Sequence, residues 1–413
     1  MTMDERKSSQ KRQKPTIDPW DEPTQVITIE DMIGACDPYS DHGDLTAPGD
    51  QSEDTNLPPS PSVQGPGTTD QQNEPCREPA IGDTRRVIVD GETRWFLKVF
   101  DPQQAKSLCG RQGFADLTGN GLVRAVADDP HLGWRRMPLG TSAMLEQLAD
   151  LARMMPNFLP VTEFLNQAVA ASKNTNTPIS LEPMILLGPA GIGKTRFAQQ
   201  IAEVFSEPFF EISMPVMTGT STLIGQDPVW RNARPGRLTD ALSSNRSASP
   251  IFFLDEFEKV YVQQASDQPL DVFHQLWEPQ NAKKIRDECA GLSFSASSVI
   301  WLASANDLVG IRSTILDRAH IITIAPPTHD QSRAIAVHAY GEAIKRWDGW
   351  FARNLPAAAF ELLVGYSPRH IKRILGRALA SAAAEGRKTI EPSDIVMARN
   401  AFAGPKRQKI GFV

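Results

Sequence analysis

The sequence predicts an α/β fold: a three-layer parallel sheet covered by helices on both faces, then a C-terminal all-α lid. Three observations carry that prediction. Short apolar runs, "PMILLG", "PFFEIS", "PIFFLDE", "SVIWLAS" and "HIITIA", alternate with helical patterns between about 181 and 325. Strands that are apolar throughout need cover on both faces, as in parallel sheets built from βαβ units. After Pro326-Pro327 the pattern turns purely helical. "THDQ" (328–331) reads as a capping box, and Ser367-Pro368 as a cap followed by proline at the first helical position.

Ahead of the sheet the chain changes character twice. Residues 1–80 read as a disordered acidic tail: between Lys14 and Arg77 there is no Lys or Arg, while Asp, Glu, Pro, Gly, Ser and Thr recur. Such a stretch cannot bury enough apolar surface to offset its chain entropy. Its patch "TQVITIEDMI" (24–33) is the place for a short binding element. Residues 81–140 read as a small β-containing module, because "RRVIVDGETRWFLKVF" places two strands around Asp90-Gly91, a hairpin signal. Then Met144, Leu145, Leu148, Leu151 and Met155 fall at helical spacing, Pro156 ends that helix, and a second runs through "VTEFLNQAVAASK". These two helices are expected to be core cover without chemistry. The resulting division is 1–80 tail, 81–140 module, 141–327 α/β domain with its preceding helices, 328–405 helical lid and 406–413 basic tail.

Bulk properties narrow the function classes. Of 413 residues, 40% are hydrophobic and 22% charged, with a formal net charge of −6. An acidic chain argues against indiscriminate binding to nucleic acid. Four scattered cysteines (Cys36, Cys76, Cys109, Cys289) form no CxxC pair, which suits a reduced compartment and no zinc module. No apolar run reaches the roughly 18 residues of a membrane span, and no signal peptide opens the chain. The expectation is a soluble, cytoplasmic protein. Among the seven histidines no metal-ligand spacing occurs; His329 and His338 share a helix nine positions apart and read as solvated. No nucleophile elbow is present. The basic end "PKRQK" (405–409) reads as a solvated tail.

The chemistry concentrates in one motif set. "MILLGPAGIGKT" is strand, Gly-rich loop and helix, and Gly188-Pro189-Ala190-Gly191-Ile192-Gly193-Lys194-Thr195 satisfies the P-loop pattern in full. Glycines there let successive backbone N–H groups face phosphate, with a helix N-terminus behind them. Lys194 is placed to reach the β- and γ-phosphates of ATP, and Thr195 to hold Mg2+. "IFFLDE" (251–256) delivers Asp255 to the carboxyl edge of a buried strand, where it completes the Mg2+ shell; Glu256 is placed to polarise the attacking water. "SVIWLASANDL" ends in Asn306, suited to orienting that water. "STILDRAH" puts Arg318 after a short helix, where it can serve the γ-phosphate of a neighbouring subunit, and "SPRHIKRIL" puts Arg369 in the first turn of a lid helix.

This order of motifs resembles an AAA+ ATPase, and more narrowly the ATPase module of the Lon family. The likeness is carried by "LDEFEKV" (254–260), "EPQNAKKIRDECAGLSFSASSVIWLASAN" (278–306), "TILDRAHIITI" (314–324) and "SPRHIKR" (367–373), and covers roughly 160–405. It implies sensor roles for Asn306 and Arg369, an arginine finger at Arg318, and ATP-driven hexamers that thread polypeptide through a central channel. It also implies a channel aromatic in "DPVWRNARPGRL" (227–238), where Trp230 stands ahead of Pro235-Gly236-Arg237 and Gly225 matches a family glycine. The loop departs from the family in having Arg231 and Asn232 after the aromatic, which makes it more basic. The protease domain of the family is not matched, and no Ser-Lys dyad carries over, so no intrinsic peptidase is expected.

Three functional readings follow. The first is an Mg2+–ATP-driven homo-oligomer, a hexamer, that remodels protein substrates. The second, motivated by Arg231, Arg234 and Arg237, is an ATPase acting on DNA or RNA. The third is a nucleotide-dependent scaffold or switch. A packing role for Trp230 stays open beside the channel role.

Overall fold

The computed structural model of the protein describes residues 79–111, 119–217, 219–260 and 269–401. The 24–33 patch, Cys36, Cys76 and the basic stretch 405–409 lie outside the described residues.

Strands β1 (Thr84–Val89) and β2 (Glu92–Lys98) form the expected hairpin. Its two-residue turn places Asp90 at φ 53° and Gly91 at φ 80°. Both angles lie in the left-handed region that a turn matched to strand twist requires. A third strand not expected from the sequence, β3 (Trp134–Met137), completes an antiparallel sheet in the order β1-β2-β3. Two helices, Pro102–Cys109 and Asn120–Ala127, lie between β2 and β3 in the chain.

The next strands are β4 (Met184–Leu187), β5 (Phe209–Ser213) and β6 (Ile251–Asp255). A two-stranded ribbon, β7 (Ile285–Arg286) with β8 (Ser293–Phe294), comes before β9 (Ile300–Ala305) and β10 (His320–Thr323). All five predicted apolar runs pair in one parallel sheet, ordered β10-β4-β9-β6-β5.

Alternation along each strand divides the interior into two cores. Met184, Leu186, Ile251, Phe253, Ile300 and Leu302 face one side, against the helices Ser142–Met154, Leu159–Thr175 and Lys194–Phe205. Ile185, Phe252, Leu254, Trp301 and Ala303 face the other. There Phe252 meets Phe210 at 5.1 Å and Trp301 at 5.3 Å between ring centroids. Leu97, Val99 and Phe100 belong to this second core, so the small sheet and the large one share buried surface. The helices His329–Lys345, Ala357–Glu361, Pro368–Ala384 and Pro392–Asn400 build a third core around Tyr340, Ile371, Leu375 and Ile395. The capping box at Thr328 and Gln331 is present, as is the Ser367 cap with Pro368 behind it.

One buried carboxyl sits at the amino edge of the sheet. Glu207, 7% exposed, has no partner with full hydrogen-bond geometry for either oxygen among the described residues. Burial pushes its carboxyl up to about 7, while Ser247 and the positive field of Arg136 pull the other way without cancelling it. A carboxyl raised in the fold contributes stability below its unfolded value near 4.5, and that contribution is lost as pH rises through 7. Glu207→Gln should therefore gain on the wild type by roughly 2–3 kcal/mol between pH 5 and pH 8. Denaturant unfolding at both pH values checks this, and a constant difference would refute it.

Candidate active site

The Gly-rich loop connects β4 to the helix Lys194–Phe205. Gly188 is tied down by space: a Cβ there would stand 2.5 Å from the Ile324 carbonyl oxygen. Gly191 and Gly193 take φ values of 80° and 108°, where a side chain is strained. A Cβ on Gly191 would approach Ser367 Oγ at 3.4 Å, so the loop tip lies beside the lid helix that carries Arg369.

Lys194, 8% exposed, donates from Nζ to the Gly188 carbonyl at 2.5 Å, the Pro189 carbonyl at 3.3 Å and Asn306 Oδ1 at 3.1 Å. Burial pushes its ammonium below the usual lysine range, and Glu258, Asp255 and Glu256 push it back. Asn306 in turn donates from Nδ2 to Glu258 Oε1 at 2.6 Å. At the tip of β6, Asp255 Oδ1 accepts from Ser304 Oγ at 2.6 Å, and the Glu256 amide donates to the same hydroxyl at 3.0 Å. Glu256 takes φ 56°, a left-handed conformation that costs roughly 1–2 kcal/mol for a residue with a side chain. Its Oε1 accepts from Lys259 Nζ at 2.5 Å.

These groups line an open cleft of about 850 Å3 between the sheet and the lid. Ala190, Gly191, Ile192, Gly193, Lys194, Thr195, Asp255, Glu256, Asn306 and Arg369 all border it. Gly188 and Pro189 stand behind that wall and hold Lys194 through their carbonyls. Thr195 and Asp255 offer the hard oxygen donors that suit Mg2+, an ion that keeps most of its shell as water and phosphate. Asp255, Glu256 and Glu258 all act on Lys194, while Arg196, Arg369 and Lys372 also border the cleft, so acidic strand tips face a basic rim.

Arg318 is the one predicted catalytic residue that the fold keeps out of this cleft. It pairs with Glu278 Oε2 at 3.2 Å and donates to the Thr314 carbonyl, with a third of its side chain exposed.

The opening of the 225–236 loop is pinched shut. Gln226 N donates to the Arg234 carbonyl at 3.1 Å, and a Cβ on Gly236 would stand 2.1 Å from the Leu223 carbonyl oxygen. Beneath it Asp287, fully buried, accepts from Gly236 N at 2.8 Å through Oδ2 and from Ala290 N at 2.8 Å through Oδ1. At the tip Val229 and Trp230 are 88% and 71% exposed, which excludes the packing role for Trp230 within this chain. Arg231, Arg234 and Arg237 are exposed beside it.

Several residues here escape the sequence reading. His338, read as solvated, is half-buried at the cleft, with Nε2 3.1 Å from the Arg196 guanidinium. Burial, then the positive charge of Arg196, lowers its imidazole below the usual value. Met155 and Asn157, at the end of the supposedly silent helix and just after it, also form cleft wall. Ser304 had one available signal: a hydroxyl in an otherwise apolar strand. Asp287 and Glu258 had none beyond being acidic. Among the described residues no group of His, Cys, Asp and Glu forms a ready metal site, and no helix is long and apolar enough to cross a membrane.

A phosphate loop, an acidic β6 tip, a polar β9 tip and a helical lid around one cleft define a P-loop ATPase domain of the AAA+ class. In agreement, residues 184–327 match the ATPase family associated with various cellular activities (AAA), so the chain carries an AAA domain. Among its similar relatives are Lon proteases. That of Borrelia duttonii (strain Ly) is 31% identical over 153 residues, covering 37% of this chain and 19% of the relative. That of Elusimicrobium minutum (strain Pei191) is 32% identical over 176 residues, covering 42% and 21%. The shared region is thus about a fifth of each relative's length, the portion holding the ATPase. Among solved structures, the Thermotoga maritima RuvB Holliday junction branch migration motor is 16% identical, with a TM-score of 0.41 over 59% of this chain and 68% of that one.

Asp287 yields a test of the loop anchor. Asp287→Ala leaves two buried N–H groups unpaired and should lower stability by roughly 2–5 kcal/mol in denaturant unfolding. An unchanged midpoint would mean that the carboxylate does not hold the base of the loop.

Proposed function

We propose that this chain is an Mg2+-dependent ATPase that works as a homo-oligomeric ring, a hexamer, and uses ATP turnover to remodel or unfold a protein substrate. The observation that carries the reading is convergence. Lys194, Thr195, Asp255, Glu256, Asn306 and Arg369 come from four separated stretches of chain and border one cleft.

Lys194 neutralises charge on the β- and γ-phosphates; Thr195 and Asp255 would hold Mg2+, which would supply further charge neutralisation. Glu256 orients the attacking water and takes its proton. Asn306, which bonds Lys194, is suited to orienting the γ-phosphate or the attacking water. Arg369 leans in from the lid.

Arg318 supports the oligomer: a residue held by Glu278 outside its own cleft suits action on a neighbour's nucleotide. Such a finger is worth roughly 10³–10⁵ in rate. The exposed Val229-Trp230 tip on a pinched, anchored base supports a role in gripping substrate. Its arginines favour acidic segments of a protein chain.

A second reading rests on the same tip. An exposed tryptophan among three exposed arginines also suits single-stranded nucleic acid, by stacking and phosphate contact. Binding would then weaken by about 0.7 log unit per log unit of salt for each phosphate contact.

Two sets of variants test these assignments. Lys194→Ala should lose ATP turnover by roughly 10²-fold or more, and Glu256→Gln should bind ATP while hydrolysing it 10²–10⁴-fold more slowly. Wild-type turnover in either variant would overturn the site. Trp230→Ala should keep the unfolding midpoint of the wild type and lose stimulation by protein substrate. Loss of a salt-sensitive nucleic-acid stimulation instead would select the second reading.

A further inference from the structure

No described residue between 79 and 139 borders the ATP cleft. The small module converges instead on the two elements that hold the Trp230 loop. One is the helix Arg237–Ser244, which starts at the last residue of the loop, Gly236. From β3, Arg135 (3% exposed) donates through Nε to the Leu242 carbonyl at 3.1 Å and through Nη2 to the Ser243 carbonyl at 3.2 Å. A helix leaves such carbonyls unpaired at its C-terminus, and a cation there also suits the helix dipole. Arg135 Nη1 is held by Asp129 at 2.9 Å, which fixes the guanidinium from the other side. Its neighbour Arg136 exchanges backbone bonds with the chain just past the helix, to the Arg246 carbonyl at 2.9 Å and from Ala248 N at 2.8 Å.

The other element is the β7-β8 ribbon that carries Asp287. Ser295 N donates to the Val99 carbonyl at 2.9 Å and Ser293 N to Gln104 Oε1 at 3.1 Å, while Phe100 bridges Phe294. Within the ribbon turn, Glu288 N donates to the Ile224 carbonyl at 2.9 Å, just ahead of the loop. Gly119, before the helix Asn120–Ala127, meets the loop base itself. A Cβ there would stand 3.3 Å from Cys289 Sγ and 3.5 Å from Pro235 Cγ.

A buried ion pair is a poor source of net stability, since apolar side chains of the same volume pack as well; its best use is to select one arrangement. Arg135 and Asp129 select the arrangement of the helix behind the loop. The exposed Val229-Trp230 tip has no packing of its own in this chain, so its direction is set from its base. We infer that the small module is the support of the substrate loop. Arg135 is its positioning residue, fixing the direction in which the loop presents Val229 and Trp230. This rests on the proposed role of that tip in gripping substrate and adds to it the part of the chain that aims the tip.

The experiment compares full-length wild type, Arg135→Lys, Arg135→Gln and Gln104→Ala. It reads amide hydrogen exchange, and ATP turnover with and without casein as an acidic, unfolded protein probe. Lysine keeps the charge but lacks the fork that spans two carbonyls; glutamine loses the charge as well. Exchange in 225–245 should quicken on the order of tenfold in Arg135→Gln and less in Arg135→Lys, while 184–205 around the phosphate loop keeps its wild-type exchange. Gln104→Ala removes one bond to the ribbon and should quicken exchange in 285–295 and 225–236, which decides the matter where an Arg135 variant fails to fold. Stimulation by casein should fall in the order in which exchange rises. In Arg135→Gln the loss should be about tenfold, carried by a raised apparent KM for casein, with basal turnover within about twofold of the wild type. Exchange that quickens equally in 184–205 and 225–245 gives Arg135 a general stabilising role and overturns the inference. Unchanged exchange in 225–245 overturns it too, as does full stimulation from a loosened loop. A wild type that casein does not stimulate counts against the grip reading alone, and the exchange pattern still decides whether the module supports the loop.

Discussion

At the carboxyl edge of the large sheet, the Ser304 hydroxyl donates to Asp255 at 2.6 Å and receives the Glu256 amide at 3.0 Å. That pair of bonds exists because β6 and β9 run parallel, with Leu254 opposite Ala303, so the next residues on each strand meet at the tip. It fixes where the acidic pair stands and holds Glu256 in a conformation it would not choose alone. Lys194, Asn306 and Glu258 then close a chain of hydrogen bonds across the neighbouring tips. Burial of both sheet faces forces polar groups out to the strand ends, and the register decides which of them meet.

The cleft is open because its two walls belong to separate cores. The floor rests on the sheet and the lid on its own cluster around Tyr340 and Leu375. The polar links between them include Arg196 to His338 and Gln331 to the Pro156 carbonyl. A wall packed independently of its floor can shift by small rotations without disturbing either interior, since packed cores resist continuous deformation.

On the other side of the sheet, the 225–236 loop shows how a fold presents a large apolar side chain to solvent without losing its geometry. Val229 and Trp230 gain nothing from packing within this chain, so the loop base carries the order instead. Asp287 is 51 residues from Gly236 in sequence, yet its carboxylate, two glycines and one closing backbone bond hold that base. Glu278, which holds Arg318, lies shortly before Asp287 in the chain, so one short segment touches both the base of the loop and the proposed finger.

The sequence by itself determined the elements and the local chemistry. Five apolar strands, the caps at Thr328 and Ser367, the Asp90-Gly91 hairpin and the phosphate loop were legible because each depends on contacts within a few residues. Only the tertiary structure decided the strand order, the β3 strand of the small sheet, and the core that this sheet shares with the large one. It also decided which polar residues matter beyond the motifs. His338 read as solvated and Met155 as ordinary core, because a helical pattern tells which residues share a face but not what that face meets. Glu258 and Asp287 carry no local pattern, and Ser304 only that of a hydroxyl in an apolar strand. Each acts through groups far away in the chain, and pairings of that kind are set by how the layers pack.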